Sequence, residues 1–174
     1  MSSHRFHPTI LRAYDIRGIF EDTLTVDDAF AIGLSFITIQ RTRGLGTEVA
    51  VGRDGRLSSP ALSAALVDGL VAGGATVTDI GCGPTPMLYF AAHELACGGA
   101  IQVTGSHNPP THNGFKMVMG GLSFFGDDIQ ELGGVSADGP ARVDGGTVTP
   151  YAIEDAYELF SNQRDGVLKV AITP

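Results

Sequence analysis

Gly99-Ala100-Ile101-Gln102-Val103-Thr104-Gly105-Ser106-His107-Asn108-Pro109-Pro110 joins a mostly apolar run of five to a segment that can extend neither strand nor helix. The first five residues predict a short interior strand, buried on both faces as in a parallel sheet. Gly105 and the Pro109-Pro110 pair stop it and fix the turn that follows. One hydroxyl, Ser106, is thereby placed on a rigid bend after a buried strand, with the imidazole of His107 and the amide of Asn108 beside it. Ser106 is the candidate functional residue.

Upstream of this stretch the pattern alternates. A strand is predicted over 48–52, a helix opened by Ser59-Pro60 and stopped by Gly73-Gly74, a strand over 75–80, and a helix from Thr85-Pro86 to about Cys97. Both helices show a hydroxyl cap followed by proline at the first helical position. A further helix is predicted over 26–39, with Thr25 as N-cap and Asp27-Asp28 in the first turn, after an extended opening over 10–20. Three rounds of strand and helix imply parallel strands joined by right-handed crossovers, with helices on both faces. The expected fold is α/β: a three-layer α/β/α sandwich with a mixed, mostly parallel sheet.

Downstream, Phe115-Lys116-Met117-Val118-Met119 predicts a strand close enough to pair back beside the central one, and 127–132 a short helical turn. The Gly- and Asp-rich segment 133–146 reads as flexible surface. Thr149-Pro150 predicts the start of a last helix to about Asn162, and Val167 to Thr173 a new strand. A strand without a following helix resembles the opening of another domain. The expected division is residues 1–165 as one domain and 166–174 as the first strand of a truncated second one.

Composition narrows the function classes. The chain has 174 residues, 43% of them hydrophobic and 17% charged, enough for an ordinary globular core. Its 24 glycines among 174 residues are about twice the usual share, which suits many tight crossovers. A net charge of −8 argues against nucleic acid or an anionic membrane surface as partner, since both require a basic face; an anionic small ligand needs a local basic pocket. Cys82 and Cys97 form no metal or redox motif and read as buried thiols of a reducing compartment. The N-terminal residues lack an apolar signal core and no run is long enough to span a bilayer. The expected location is cytoplasmic.

Several motifs can be weighed directly. A hydrolase elbow, G-x-S-x-G, requires glycine where Thr104 and Asn108 stand, so a serine hydrolase is not supported. A Walker loop is absent, and Gly81-Cys82-Gly83-Pro84-Thr85-Pro86 lacks the third glycine of a dinucleotide fingerprint. His107 and His112 have no third metal ligand at suitable spacing. Tyr14-Asp15-Ile16-Arg17-Gly18 can offer a guanidinium to a ligand or hold a surface ion pair. Gly52-Arg53-Asp54-Gly55-Arg56 follows a strand, where α/β folds bind ligands, or is a plain Asp-Gly turn. Lys116 points away from its apolar neighbours Phe115 and Met117; it can exchange protons or lie along an edge. Ser106 itself has a plain alternative as a loop hydroxyl bonded to the backbone.

Together, Tyr14-Asp15-Ile16-Arg17-Gly18, Gly52-Arg53-Asp54-Gly55-Arg56, Pro84-Thr85-Pro86, Thr104-Gly105-Ser106-His107-Asn108-Pro109 and Asn113-Gly114-Phe115-Lys116-Met117 resemble, in order and spacing, the first domain of the α-D-phosphohexomutases. The resemblance covers nearly the whole chain. It is nearest the phosphomannomutase/phosphoglucomutase group, since related glucosamine-phosphate and glucose-only mutases usually carry Ala in place of Gly105.

The resemblance implies that Ser106 carries a phosphoryl group, passed between C1 and C6 of a hexose phosphate through a bisphosphorylated intermediate. It implies Arg17 and His107 as electrostatic support and Lys116, or else His107, as general acid/base. Tyr14, Asn108 and Arg17 are implied in substrate and phosphate binding. Such chemistry requires an in-line acceptor, charge neutralisation and a proton acceptor. The implied cofactors are Mg2+, touching this chain only through the phosphate on Ser106, and a hexose 1,6-bisphosphate as activator. The implied partners are the hexose phosphate substrate and the missing domains, because the family's Asp-x-Asp-x-Asp magnesium loop and its sugar-reading and phosphate-binding loops find no match here. The chain alone is therefore expected to lack mutase turnover. The competing expectation is a non-catalytic phospho-accepting or interaction module that keeps the loop without the turnover machinery.

Overall fold

The computed structural model describes residues 3–151. The elements run β1 (Ile16–Ile19), α1 (Val26–Thr42), β2 (Glu48–Arg53), α2 (Ser59–Ala72), β3 (Thr76–Cys82), α3 (Thr85–Glu94), β4 (Gly99–Val103), β5 (His112–Met119), β6 (Leu122–Ser123), α4 (Asp127–Asp138) and β7 (Thr147–Pro150). The strands form one sheet in the order β1-β5-β4-β2-β3-β7, with β6 pairing β5. β4, β2, β3 and β7 pair in parallel, whereas β5 is antiparallel to β4, β1 and β6. Only β5 therefore runs against the others, and the sheet is mixed with one common direction.

Pleating divides the strands between two apolar layers. Val49, Val51, Ile101, Val103, Phe115 and Met117 face a core built with α1, α2 and α4, while Ala50, Ala100 and Ile80 face Met87, Leu88 and Ala91 of α3. This is the α/β/α sandwich expected from the alternation of strand and helix. α1 starts on a capping box in which the Thr25 hydroxyl accepts from the Asp28 N–H and the Asp28 carboxylate accepts from the Thr25 N–H at 2.7 Å. α1 and α2 approach closely because Gly33 and Gly69 face each other's helix backbones; a Cβ at Gly69 would lie 2.1 Å from the Phe30 carbonyl oxygen. Among the described residues no helix is long and apolar enough to cross a membrane.

Several sequence expectations are corrected. α4 runs through Asp138 and includes Gly133-Gly134, where the sequence predicts flexible surface. Its tertiary contacts offset the helix cost of glycine: Ile129 and Leu132 are buried, Gly133 lies against Leu11, and the Ser136 hydroxyl donates to the His4 carbonyl at 3.0 Å. Thr149-Pro150 ends the edge strand β7, paired with Thr78 and Asp79, instead of opening a helix; an edge tolerates the missing N–H of proline. Thr85 and Ser59 are first helical residues and not caps, the N-cap positions being Pro84 and Ser58. Cys82 is exposed and only Cys97 is half-buried; burial, and then the charge of Glu48, push the Cys97 thiol up. The predicted helix to Asn162, the strand from Val167 and the boundary at residue 165 lie outside the described residues.

Candidate functional site

Three loops meet at the carboxyl ends of β2, β3 and β4, the end where ligands bind in parallel α/β sheets. The loop after β4 carries Ser106, which has a φ of 51°, a left-handed conformation that costs a side-chain-bearing residue roughly 1–2 kcal/mol. The surrounding hydrogen bonds hold it there. Thr104 N–H donates to the Gly114 carbonyl at 3.0 Å, and the Thr104 carbonyl accepts from the Arg17 guanidinium at 2.6 Å. Gly105 N–H donates to Asp54 at 2.9 Å, and the Gly105 carbonyl accepts from the N–H of Asn108 at 3.0 Å and its side-chain amide at 3.2 Å. Ser106 N–H donates to the Thr104 hydroxyl at 2.9 Å, and its carbonyl accepts from Arg56 at 3.0 Å.

All six backbone polar groups of these three residues are thus paired. The Ser106 side chain is not: the residue is exposed, and its hydroxyl makes no hydrogen bond among the described residues. A hydroxyl on a fully tethered backbone, open to solvent, is presented to a ligand without the loop having to rearrange.

The support comes from residues distant in sequence. Asp54 takes the Gly105 N–H, the Arg56 N–H at 3.1 Å and the Ser59 hydroxyl. Burial pushes its carboxyl up, but the hydrogen bonds from Ser59, Arg56, Gly105 and Thr104 outweigh burial and hold it below the usual carboxylate range. Asn113, fully buried at the start of β5, donates to the hydroxyls of Ser58 and Ser59 at 2.8 and 2.9 Å. This accounts for the missing side-chain caps at the start of α2: both hydroxyls are engaged in tying α2 to β5 and to Asp54.

The residues singled out in the sequence are distributed as follows. Arg17 is only 1% exposed, bonded to Thr104 and paired with Asp15 at 2.5 Å, so it lies beneath the loop. Lys116 is half-buried opposite Gln102 of β4 and shares a sheet face with Arg17, the face turned away from Ile16 and Phe115 in the core. His107 is exposed, and neither His107 nor Lys116 makes a hydrogen bond or ion pair among the described residues. Asn108 belongs to the loop itself. Tyr14 stands outside this network, 83% exposed and stacked on Phe125 at 6.4 Å. Asp54 and Arg56 are legible in the sequence as a motif after a strand, a ligand-binding position or a plain Asp-Gly turn, and Asn113 as part of a motif; no local signal marks them as supports of Ser106.

Comparison with known proteins places the fold and the sequence in one family. Residues 8–137 match the family model described as phosphoglucomutase/phosphomannomutase, alpha/beta/alpha domain I. A phosphoglucomutase of Neisseria gonorrhoeae is 46% identical over 150 residues, which are 85% of this chain and 32% of that protein. A phosphomannomutase/phosphoglucomutase of Pseudomonas aeruginosa is 49% identical over 124 residues, 71% of this chain and 27% of that protein. The crystal structure of a phosphoglucomutase/phosphomannomutase family protein from Burkholderia thailandensis superposes with a TM-score of 0.81 at 44% identity, covering 87% of this chain and 35% of that one. The chain spans about a third of the length of these relatives. A tethered serine loop at the carboxyl end of a mixed α/β/α sheet, matched over most of its length, means that the chain belongs to the phosphoglucomutase/phosphomannomutase family, in its α/β/α domain I.

Proposed function

We propose that this chain is the phosphoserine-bearing domain of a phosphomannomutase/phosphoglucomutase and that Ser106 is the residue that takes up and returns the phosphoryl group. The observation that carries this reading is the exposed, unbonded Ser106 hydroxyl on a backbone whose every polar group is held. In the uptake step the phosphorus–oxygen bond to a hexose 1,6-bisphosphate breaks as the bond to Ser106 Oγ forms. The hydroxyl proton passes to Lys116 or His107, and the sugar oxygen is protonated in turn. A phosphoserine carries about −1.5 to −2 charges; Arg17 below the loop and His107 beside Ser106 offset that charge, and Asn108 keeps the bend. Tyr14 is read as a contact to the sugar phosphate. Residues 1–165 form this domain in the proposal, and 166–174 open the next one. Turnover between C1 and C6 then requires the further domains that the relatives' greater length supplies.

The family implies Mg2+. Among the described residues no group of three or more His, Cys, Asp or Glu side chains could hold a metal ion; an oxygen of phosphorylated Ser106 is one ligand at most. The described residues do not form a magnesium cage.

Intact mass before and after incubation with a hexose 1,6-bisphosphate in magnesium buffer tests the reading. One phosphoryl group is expected on the wild type, located at Ser106 by peptide mapping, and none on Ser106→Ala. Uptake at another residue, or by the Ala variant, refutes the assignment. Absence of uptake together with failure to restore isomerisation when the remaining domains of a relative are added in trans favours a non-catalytic interaction module.

A further inference from the structure

We propose that Arg56 is a positioning residue for Ser106, fixing the direction of its hydroxyl without touching the sugar phosphate; this rests on the reading of Ser106 as the phosphoryl acceptor. From the loop after β2, Nη1 of Arg56 donates to the carbonyls of Pro109 at 2.7 Å and His112 at 3.1 Å. Nη2 donates to the carbonyls of Ser106 at 3.0 Å and Asn108 at 2.7 Å. Nε faces the Asp54 carboxylate at 3.3 Å. A guanidinium has five N–H donors in a rigid fork; the four on Nη1 and Nη2 are taken by backbone carbonyls and Nε is ion-paired with Asp54, so the fork is committed to this chain.

The four carbonyls belong to Ser106, to Asn108 and Pro109 of the turn after it, and to His112, the first residue of β5. The fork therefore ties both ends of the loop to β2, and the same Asp54 that faces Nε holds the Gly105 N–H. Gly105 permits the approach: a Cβ there would fall 2.0 Å from Nε. The left-handed bend at Ser106 has its own carbonyl locked by this fork. Removing the fork frees that carbonyl and three others, letting the hydroxyl swing off the attack line. A misplacement on the order of 1 Å costs about 100-fold in rate. Lysine keeps the charge, but its point-like ammonium cannot span four carbonyls in one plane.

Uptake of the phosphoryl group from a hexose 1,6-bisphosphate is followed by rapid quench and intact mass for wild type, Arg56→Ala and Arg56→Lys, alongside amide hydrogen exchange. The expected result is a maximal rate lowered about 100-fold in Arg56→Ala and by a smaller factor in Arg56→Lys. The half-saturating bisphosphate concentration should stay unchanged within about twofold, since no donor reaches the ligand. The amides of Gly105, Ser106 and Asn108 should exchange faster while those of β4 do not. A wild-type rate in a folded variant overturns the proposal. So does a raised half-saturating concentration at an unchanged maximal rate, which would make Arg56 a ligand contact. If wild type itself takes up no phosphoryl group, the Ser106 reading fails, and the loop amides still decide whether Arg56 is the clamp. Should Arg56→Ala not fold, Arg56→Lys carries the same comparison.

Discussion

The guanidinium of Arg56 lies against the Cα of Gly105, so close that a methyl group on that carbon would meet Nε at 2.0 Å and Cζ at 2.1 Å. The space at Gly105 and the place of the Arg56 fork therefore exclude any side chain at position 105 without a shift of the guanidinium. Gly105→Ala is expected to displace the fork from the Ser106 carbonyl and to cost about 1 kcal/mol, the strain of an added methyl against a side chain that can yield at its end. In an Arg56→Ala background the same methyl should cost close to nothing. A double-mutant cycle by urea unfolding measures this, and additive effects would show that the two residues do not constrain each other.

Ser106 combines a left-handed backbone with an exposed hydroxyl, the proposed phosphoryl acceptor. Ser106→Gly removes the steric penalty and adds chain entropy to the unfolded state, two effects of similar size and opposite sign. The expected outcome is a stability equal to wild type or higher by up to about 1 kcal/mol, with phosphoryl uptake abolished. A clear fall in Tm would mean that the serine side chain stabilises the loop.

Arg17→Lys retains the charge yet loses the fork that reaches both the Thr104 carbonyl and Asp15. Leaving one buried polar partner unmet costs about 1–3 kcal/mol, more than a surface exchange of the two residues would. Chemical denaturation and the uptake rate should both register it. An unchanged rate with reduced stability would confine Arg17 to support of the fold.

Asp54 gives the loop a pH dependence. Its folded carboxyl lies below the ordinary 3.8, so the stability it contributes is fully present above that value and is lost as pH falls through its lower folded value. Wild type should therefore lose stability more steeply than Asp54→Asn in the acid range below about pH 4. Urea midpoints of the two proteins between neutral and acid pH check the sign; parallel curves would remove Asp54 from the acid response.

Much of the architecture was readable because it is encoded locally. Thr25 and Asp28 cap α1 within three residues of each other, and the five buried residues of β4 form a short run bounded by turn formers. What escaped the sequence depends on distant partners. Gly133-Gly134 remains helical because residues near the N-terminus pack on α4, with Ser136 bonded to His4 across 132 positions. Ser58 and Ser59 carry a cap signature, but their hydroxyls are engaged by Asn113, 55 and 54 residues on. Thr149-Pro150 has the look of a helix start and is held in the sheet by β3.

The same division holds at the site. Thr104 to Pro110 by themselves determined that a serine would sit on a stiff bend after a buried strand, because the chemistry of glycine and proline acts over one or two residues. Only the folded sheet decided how that bend is held, because Arg17, Asp54, Arg56 and Asn113 approach it from three other strands or loops. A guanidinium fork bonds whatever carbonyls the packing brings within about 3 Å. For Arg56 these lie 50 to 56 residues along the chain.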